Sequence, residues 1–166
     1  MKVFQSLDAF SNHLSKVSAK YKEREFAALN FVGSVLEEEA KHKIGHLQHG
    51  AGPFENWKEL AESTKLDKAR KGYVFNADYN PLYRTGDLKD SIHHVVNAAS
   101  STLYVGSSDE VAIFQEFGTK DIPARSFLGL TLFKEKAEIQ FILGLFLLYW
   151  IIDSNKKLMR SIHGSV

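Results

Sequence analysis

The chain has 166 residues, 25% of them charged and 44% apolar, with 21 Lys and Arg against 20 Asp and Glu. That length suits one domain with a sizeable core, and a net charge of +1 gives no overall pull toward nucleic acid and little repulsion between copies. There is no cysteine, which excludes disulfides and thiolate metal sites.

The N-terminal MKVFQSLDAF lacks a sustained apolar core and a small-residue cleavage site, so no signal peptide is expected. Ser6 is placed to cap a helix that carries Leu7, Phe10, Leu14 and Val17 at spacings of three and four. The pattern continues through Phe26, Leu29, Val32, Leu36, Ala40 and Ile44. Gly33 is its one breaker, at a cost of only about 1 kcal/mol relative to Ala. GHLQHGAGP, residues 45–53, then forms a loop, with its glycines and proline crowded together. In WKELAESTKLDKARKG, residues 57–72, Trp57, Leu60 and Ala61 share a helical face, and Ser63 and Thr64 end that helix and cap a further short turn. Residues 72–83 read as an irregular arm with one short strand.

The β part follows. Residues 91–97 alternate, with Ile92, His94 and Val96 on one face and His93 and Val95 on the other. Residues 98–101 turn, and 102–105 form a second strand, which gives an antiparallel hairpin. Asp109 can cap a short helix of Ala112, Ile113, Phe114 and Phe117, with Gly118 as its left-handed terminating residue. Ile122 is pushed to an extended conformation by Pro123. A long helix over 131–158 ends the chain's pattern. The whole reads as a single α+β domain: a helical N-terminal part (1–50), a core (57–135) with a small antiparallel sheet, and a long C-terminal helix.

Within that last helix FILGLFLLYWII, residues 141–152, is apolar throughout and is bounded by Glu138 and Asp153. A membrane span needs about 20 such residues, so none is expected. A helix apolar on every side must be covered on every side. It is either a central core helix or one covered by a partner, most simply another copy of the chain. Phe141, Leu145, Leu148, Trp150 and Ile152 are its candidate interface residues.

Candidate chemistry is sparse. His42, His46 and His49 fall near one helical face, but no Glu stands beside His42 as a general base would, and a solvated helix end accounts for them. Ser91, His93 and Asp87 lack the glycine pattern of a nucleophile elbow. Glu37, Glu38 and Glu39 read as an exposed helical face. Gly50 and Gly52 precede Pro53 and do not follow a strand, so they are not a phosphate loop. No catalytic centre, metal or cofactor is expected. The basic run of residues 65–71, with Lys65, Lys68, Arg70 and Lys71, can contact phosphates, which makes a DNA-contacting module the alternative function. The run lacks the interleaved aromatics of a single-strand platform.

Two segments together carry more information than any of these. TGDLKDSI, residues 85–92, is followed by VGSSDEVAIFQEFGTKDIPARSFLG, residues 105–129, and WKELAESTKLDKARKG precedes both. In that order and spacing they resemble the tail-completion, or virion-morphogenesis, proteins of tailed bacteriophages. Those proteins pair a T-G-x-L-x-x-S-[IL] segment with a later helix ending in F-G and an I-P-A-R-x-F-L-G segment. This chain has Val111-Ala112 where a Tyr-Ala pair often opens the short helix, and Ser126 where proline often follows the arginine. The resemblance covers about residues 57–135.

The resemblance implies a structural virion protein of the neck or tail top, assembled in the host bacterial cytoplasm and without enzyme activity. It implies a cyclic homo-oligomer, a hexamer or dodecamer, that meets tail tube or terminator proteins on one rim and head-side connector proteins on the other. Genomic DNA is then only cargo in the channel, and no membrane is involved. The contact residues it implies are Phe114, Phe117, Gly118, Pro123, Arg125, Phe127 and Leu128. Thr85, Gly86, Leu88, Ser91 and Ile92 form the accompanying structural motif. Physically, Gly86 frees the backbone at the turn into the hairpin, and Leu88 and Ile92 anchor it in the core. Phe114 and Phe117 are expected to pack the short helix, and Gly118 to end it. Pro123 stiffens the next segment, Arg125 offers a fork to a carboxylate or to main-chain carbonyls, and Phe127 and Leu128 fasten the far end. FQEFGTKDIPARSFLG, residues 114–129, therefore reads as a braced loop with apolar anchors at both ends and an outward polar middle.

Overall fold

Ser6 starts the first helix as expected: its hydroxyl accepts the N–H of Ala9 at 3.1 Å. The computed structural model describes residues 4–163, with side chains through Asp153 apart from Trp150. Helix α1 (Leu7–Lys43) is unbroken and about 55 Å long at 1.5 Å per residue. Short helices α2 (Glu62–Arg70) and α3 (Asp87–Asp90) lead into strands β1 (Ile92–Asn97) and β2 (Thr102–Ser107), then α4 (Val111–Phe117) and α5 (Leu128–His163). The fold is α+β, with a two-stranded antiparallel sheet.

The hairpin lies along α1, and Gly33 is the reason it can. A Cβ there would stand 2.4 Å from the His94 ring and 2.8 Å from the Leu103 side chain. What reads in sequence as a small helix penalty is the place where the sheet touches the helix. Glu37 pins the same contact, accepting the His94 N–H at 3.1 Å and bonding His94 Nδ1 at 2.6 Å and Lys41 at 2.5 Å. The hairpin turn reaches back to α1 through Ser101, whose hydroxyl donates to Glu25 at 2.7 Å. Ile92 is buried, His93 and Val95 face out, and His94 and Val96 are half-buried, so the alternation holds as expected.

The core sits at one end of the molecule. Ala40 and Ile44 of the α1 end meet Trp57, Leu88, Ile92, Ala112 and Phe127, with Leu47, Leu82, Tyr83 and Leu128 around them. Trp57 reaches this core from extended chain, with its indole N–H donating to the Ser126 carbonyl at 3.2 Å. The helix expected at Trp57, Leu60 and Ala61 does not form. The first turn of α2 begins only at Glu62, because burial of Trp57 and capture of the Lys58 and Glu59 carbonyls by Arg125 hold the segment open. The strand expected within 72–83 is likewise replaced by turns. Tyr79, Asn80 and Leu82 have positive φ, and Asn76 and Asp78 hydrogen-bond to Gly45 and Leu47.

Away from the core, α1 and α5 continue as an antiparallel pair. Phe31 packs against Phe146 with ring centroids 6.5 Å apart, and Arg24 bonds Asp153 at 2.8 Å while lying over the Tyr149 ring. No described α5 residue beyond Thr131 is buried, and no α1 residue before Ala28 is. Of the two readings of residues 141–152, a central core helix is therefore overturned. The apolar run flanks a two-helix arm, and α1 covers one side of it. The side chain of Trp150 lies outside the described residues. No helix among them is long and apolar enough to cross a membrane.

Candidate functional site

The three resembling segments, far apart in sequence, meet around one cleft of about 730 Å3. Its walls come from residues 58–68, from 82–88, and from Asp109, α4 and the loop that follows it. Within the second wall, Gly86 has φ 109°, a left-handed value that glycine adopts without a Cβ penalty. Thr85 donates its hydroxyl to Asp87 at 2.7 Å, beside the start of α3. Leu88 and Ile92 are buried beneath it, and the Ser91 hydroxyl joins the Leu88 carbonyl at 2.7 Å to Ser107 at 2.6 Å.

The loop of residues 114–129 is held by polar groups more than by apolar ones. Glu116 directs its carboxylate at the start of α5, accepting the N–H of Phe127 at 2.8 Å, of Leu128 at 3.0 Å and of Gly129 at 2.8 Å, together with the Ser126 hydroxyl. These are the N–H groups a helix leaves without internal partners, and a negative charge suits that end of its dipole. Gly118 has φ 74° and ψ 174°, so its positive φ is as expected but its ψ is extended, outside the left-handed helical region. A Cβ there would lie 2.7 Å from the Ala124 nitrogen. Arg125 is buried, and its fork donates to the Lys58 carbonyl at 2.9 Å and the Glu59 carbonyl at 3.3 Å, while its own N–H donates to Gln115 at 2.7 Å. Of the two partners open to Arg125 in sequence, main-chain carbonyls are the ones it takes. Burial lowers its guanidinium pKa. Phe127 is fully buried and Leu128 half-buried, whereas Pro123 lines the cleft.

Phe114 and Phe117 do not pack the short helix. They are 50% and 78% exposed, alongside exposed Val111 and Ile113, and only Ala112 of α4 is buried. A seven-residue helix anchored through one small residue and through Glu116 has no inward place for four large side chains. The polar middle, residues 119–121, does face out. It is closed by the Thr119 N–H, which donates to Ile122 at 2.8 Å.

The basic run is largely consumed inside the chain. Lys65 pairs with Glu59 and Glu62 at 3.0 and 2.9 Å, and Lys71 pairs with Asp67 at 2.9 Å. Lys68 is buried and donates to the carbonyls of Tyr79 and Tyr83 at 2.9 and 2.7 Å, and to that of Asn80. Burial, with the cations of Arg84 and Arg125 nearby, pulls its amine down to about 8. These pairings leave no continuous basic face across the run. His42 lies 4.0 Å from Glu38, and His46 lies near Asn76. Among the described residues no group of three or more His, Asp or Glu is placed to hold a metal ion.

Sequence reasoning missed Glu116 and Lys68. Neither has a local signal, since their partners are ten or more residues away. Comparison with known proteins finds no matching family model, no matching curated protein and no matching solved structure.

Proposed function

We propose that this chain is a structural component of a tailed-bacteriophage virion that completes the tail or joins it to the filled head through oligomeric assembly. The observation that carries the reading is the convergence of the three resembling segments on a single cleft, with the loop of residues 114–129 hydrogen-bonded to the first wall through Arg125 and sharing a buried core with the second through Phe127 and Leu88. A motif whose parts merely coincided in sequence would have no reason to form one braced unit. Surface chemistry supports it further. Val111, Ile113, Phe114 and Phe117 make an exposed apolar patch on a short, rigidly tethered helix, which is the kind of surface that protein contacts cover.

The action is mechanical. A patch on one subunit meets a different patch on the next, and when the rotation closes, such heterologous contacts make a ring. The α4 patch supplies one side of that contact. One rim meets the tail side and the other the head-side connector, with genomic DNA passing through. No observation favours the DNA-contacting alternative, because Lys65, Lys68 and Lys71 already have partners within the chain.

The deciding experiment is deletion of the gene from the phage. Filled heads and separate, unjoined tails are expected, with joining restored by the purified protein. Infectious particles of normal appearance would overturn the reading. Negative-stain images of the purified chain test whether rings form without a partner.

A further inference from the structure

The outer half of α5 is apolar on more than two sides, with Leu147 and Ile151 also exposed, and two of its lines of side chains bear on pairing. Phe146, Tyr149 and Asp153 face α1, against Phe31 and Arg24. Phe141, Leu145, Leu148 and Ile152 lie roughly 100° further round the helix at about 100° per residue. They are 65%, 48%, 56% and 50% exposed. Their gaps of four, three and four are those of a helix that packs along another helix.

We propose that this second line is where two copies of the chain pair, with their α5 helices antiparallel about a two-fold axis. The gaps read the same in either direction, so a copy turned end for end offers the same pattern. Phe141 then meets Ile152 of the second copy, and Leu145 meets its Leu148. Such self-complementarity is what an isologous contact requires. The exposed parts of the four side chains add up to on the order of 400 Å2 per copy, about half the ~800 Å2 per partner of a standard interface. Pairing is therefore reversible and concentration-dependent, and a net charge of +1 does little to oppose it. Insertion into a bilayer fits less well. The apolar run extends only about 18 Å against a hydrocarbon core of about 30 Å. Burying α5 in lipid would also carry the exposed Lys20, Lys22 and Glu23 of the neighbouring α1 toward it.

The pairing does not depend on the neck role, and gene deletion does not test it. The test uses the full chain, whose lack of cysteine makes cross-linking specific. Leu145→Cys and Leu148→Cys chains are mixed and oxidised, and each is also oxidised alone. A cross-linked product mainly in the mixture is expected. Cross-linking of Leu145→Cys chiefly with itself would mean parallel pairing and would overturn the proposal, as would no cross-link in any sample. Light scattering up to about 0.1 mM should show self-association that Leu148→Glu weakens at least tenfold. Folded wild-type chain that stays monomeric, association unchanged in a folded Leu148→Glu variant, or monomer that instead binds phosphatidylcholine–phosphatidylglycerol vesicles would each overturn it. Where the glutamate variant does not fold, the two conservative cysteine variants decide alone.

Discussion

The carboxylate of Glu116 accepts the backbone N–H of Phe127 at 2.8 Å, so the end of one helix caps the beginning of another. Two further N–H groups and the Ser126 hydroxyl converge on the same carboxylate. Truncation leaves those donors without an acceptor in a half-buried place. Glu116→Ala should lower stability by about 2–4 kcal/mol, read from urea midpoints, and should expose Trp57 to quenchers as the loop loosens. An unchanged midpoint would mean that the cap contributes nothing.

Two glycines in long helices should respond oppositely to alanine. Gly33→Ala gains helix propensity but drives a methyl group into His94 and Leu103, so a net loss of about 1–3 kcal/mol is expected. Gly144 has nothing within 4 Å of a built Cβ, and Gly144→Ala should stabilise by up to about 1 kcal/mol. Thermal melts of the two variants settle the signs.

Acid should loosen the hairpin from α1. The Glu37 carboxyl is held below its ordinary value first by its hydrogen bond to Lys41, against burial, with His94 adding to the lowering. Its contribution is thus complete above the ordinary carboxylate range and lost as pH falls through the lowered value. Glu135 works the other way, being raised by burial and by Glu39. Comparison of wild type with Glu37→Gln isolates the first effect, and the variant should show a shallower loss of stability below about pH 4.5.

At the alkaline end Lys68 dominates. Its amine titrates near 8 in the fold against 10.5 for an ordinary lysine. Between these values the unfolded chain holds the additional proton, so stability should rise as pH rises from about 8 to about 10.5. Lys65, raised by Glu62 and Glu59, changes only above that window. Lys68→Met should flatten the rise, and should cost about 3 kcal/mol at neutral pH by stranding three carbonyls. A slope that survives the substitution would count against this assignment.

Three of the elements were readable because their signals are local. Ser6 announces α1, alternation from Ile92 announces β1, and Asp109, whose carboxylate accepts the Val111 N–H at 2.9 Å, announces α4. What was not readable depends on partners distant in sequence. Trp57, Leu60 and Ala61 satisfy a helical pattern, yet Ser126 and Arg125 draw that segment into extended chain. Phe114 and Phe117 look like core residues until Ala112 proves to be the one that turns inward. The four basic residues of 65–71 look like a surface, although Lys68 is a buried staple for the turns at 79–83.

The arm formed by α1 and α5 has a thermodynamic corollary. Among the described residues its first buried one is Ala28 and its last Thr131, so its distal half shares little in the cooperative unit built around Phe127. Amide exchange should therefore be graded along both helices, slow near Ala40 and Leu130 and fast toward Leu14 and Ile152. Contact of the arm with another molecule would extend the slow zone outward, so the same exchange profile measured against concentration reads directly whether the arm is covered.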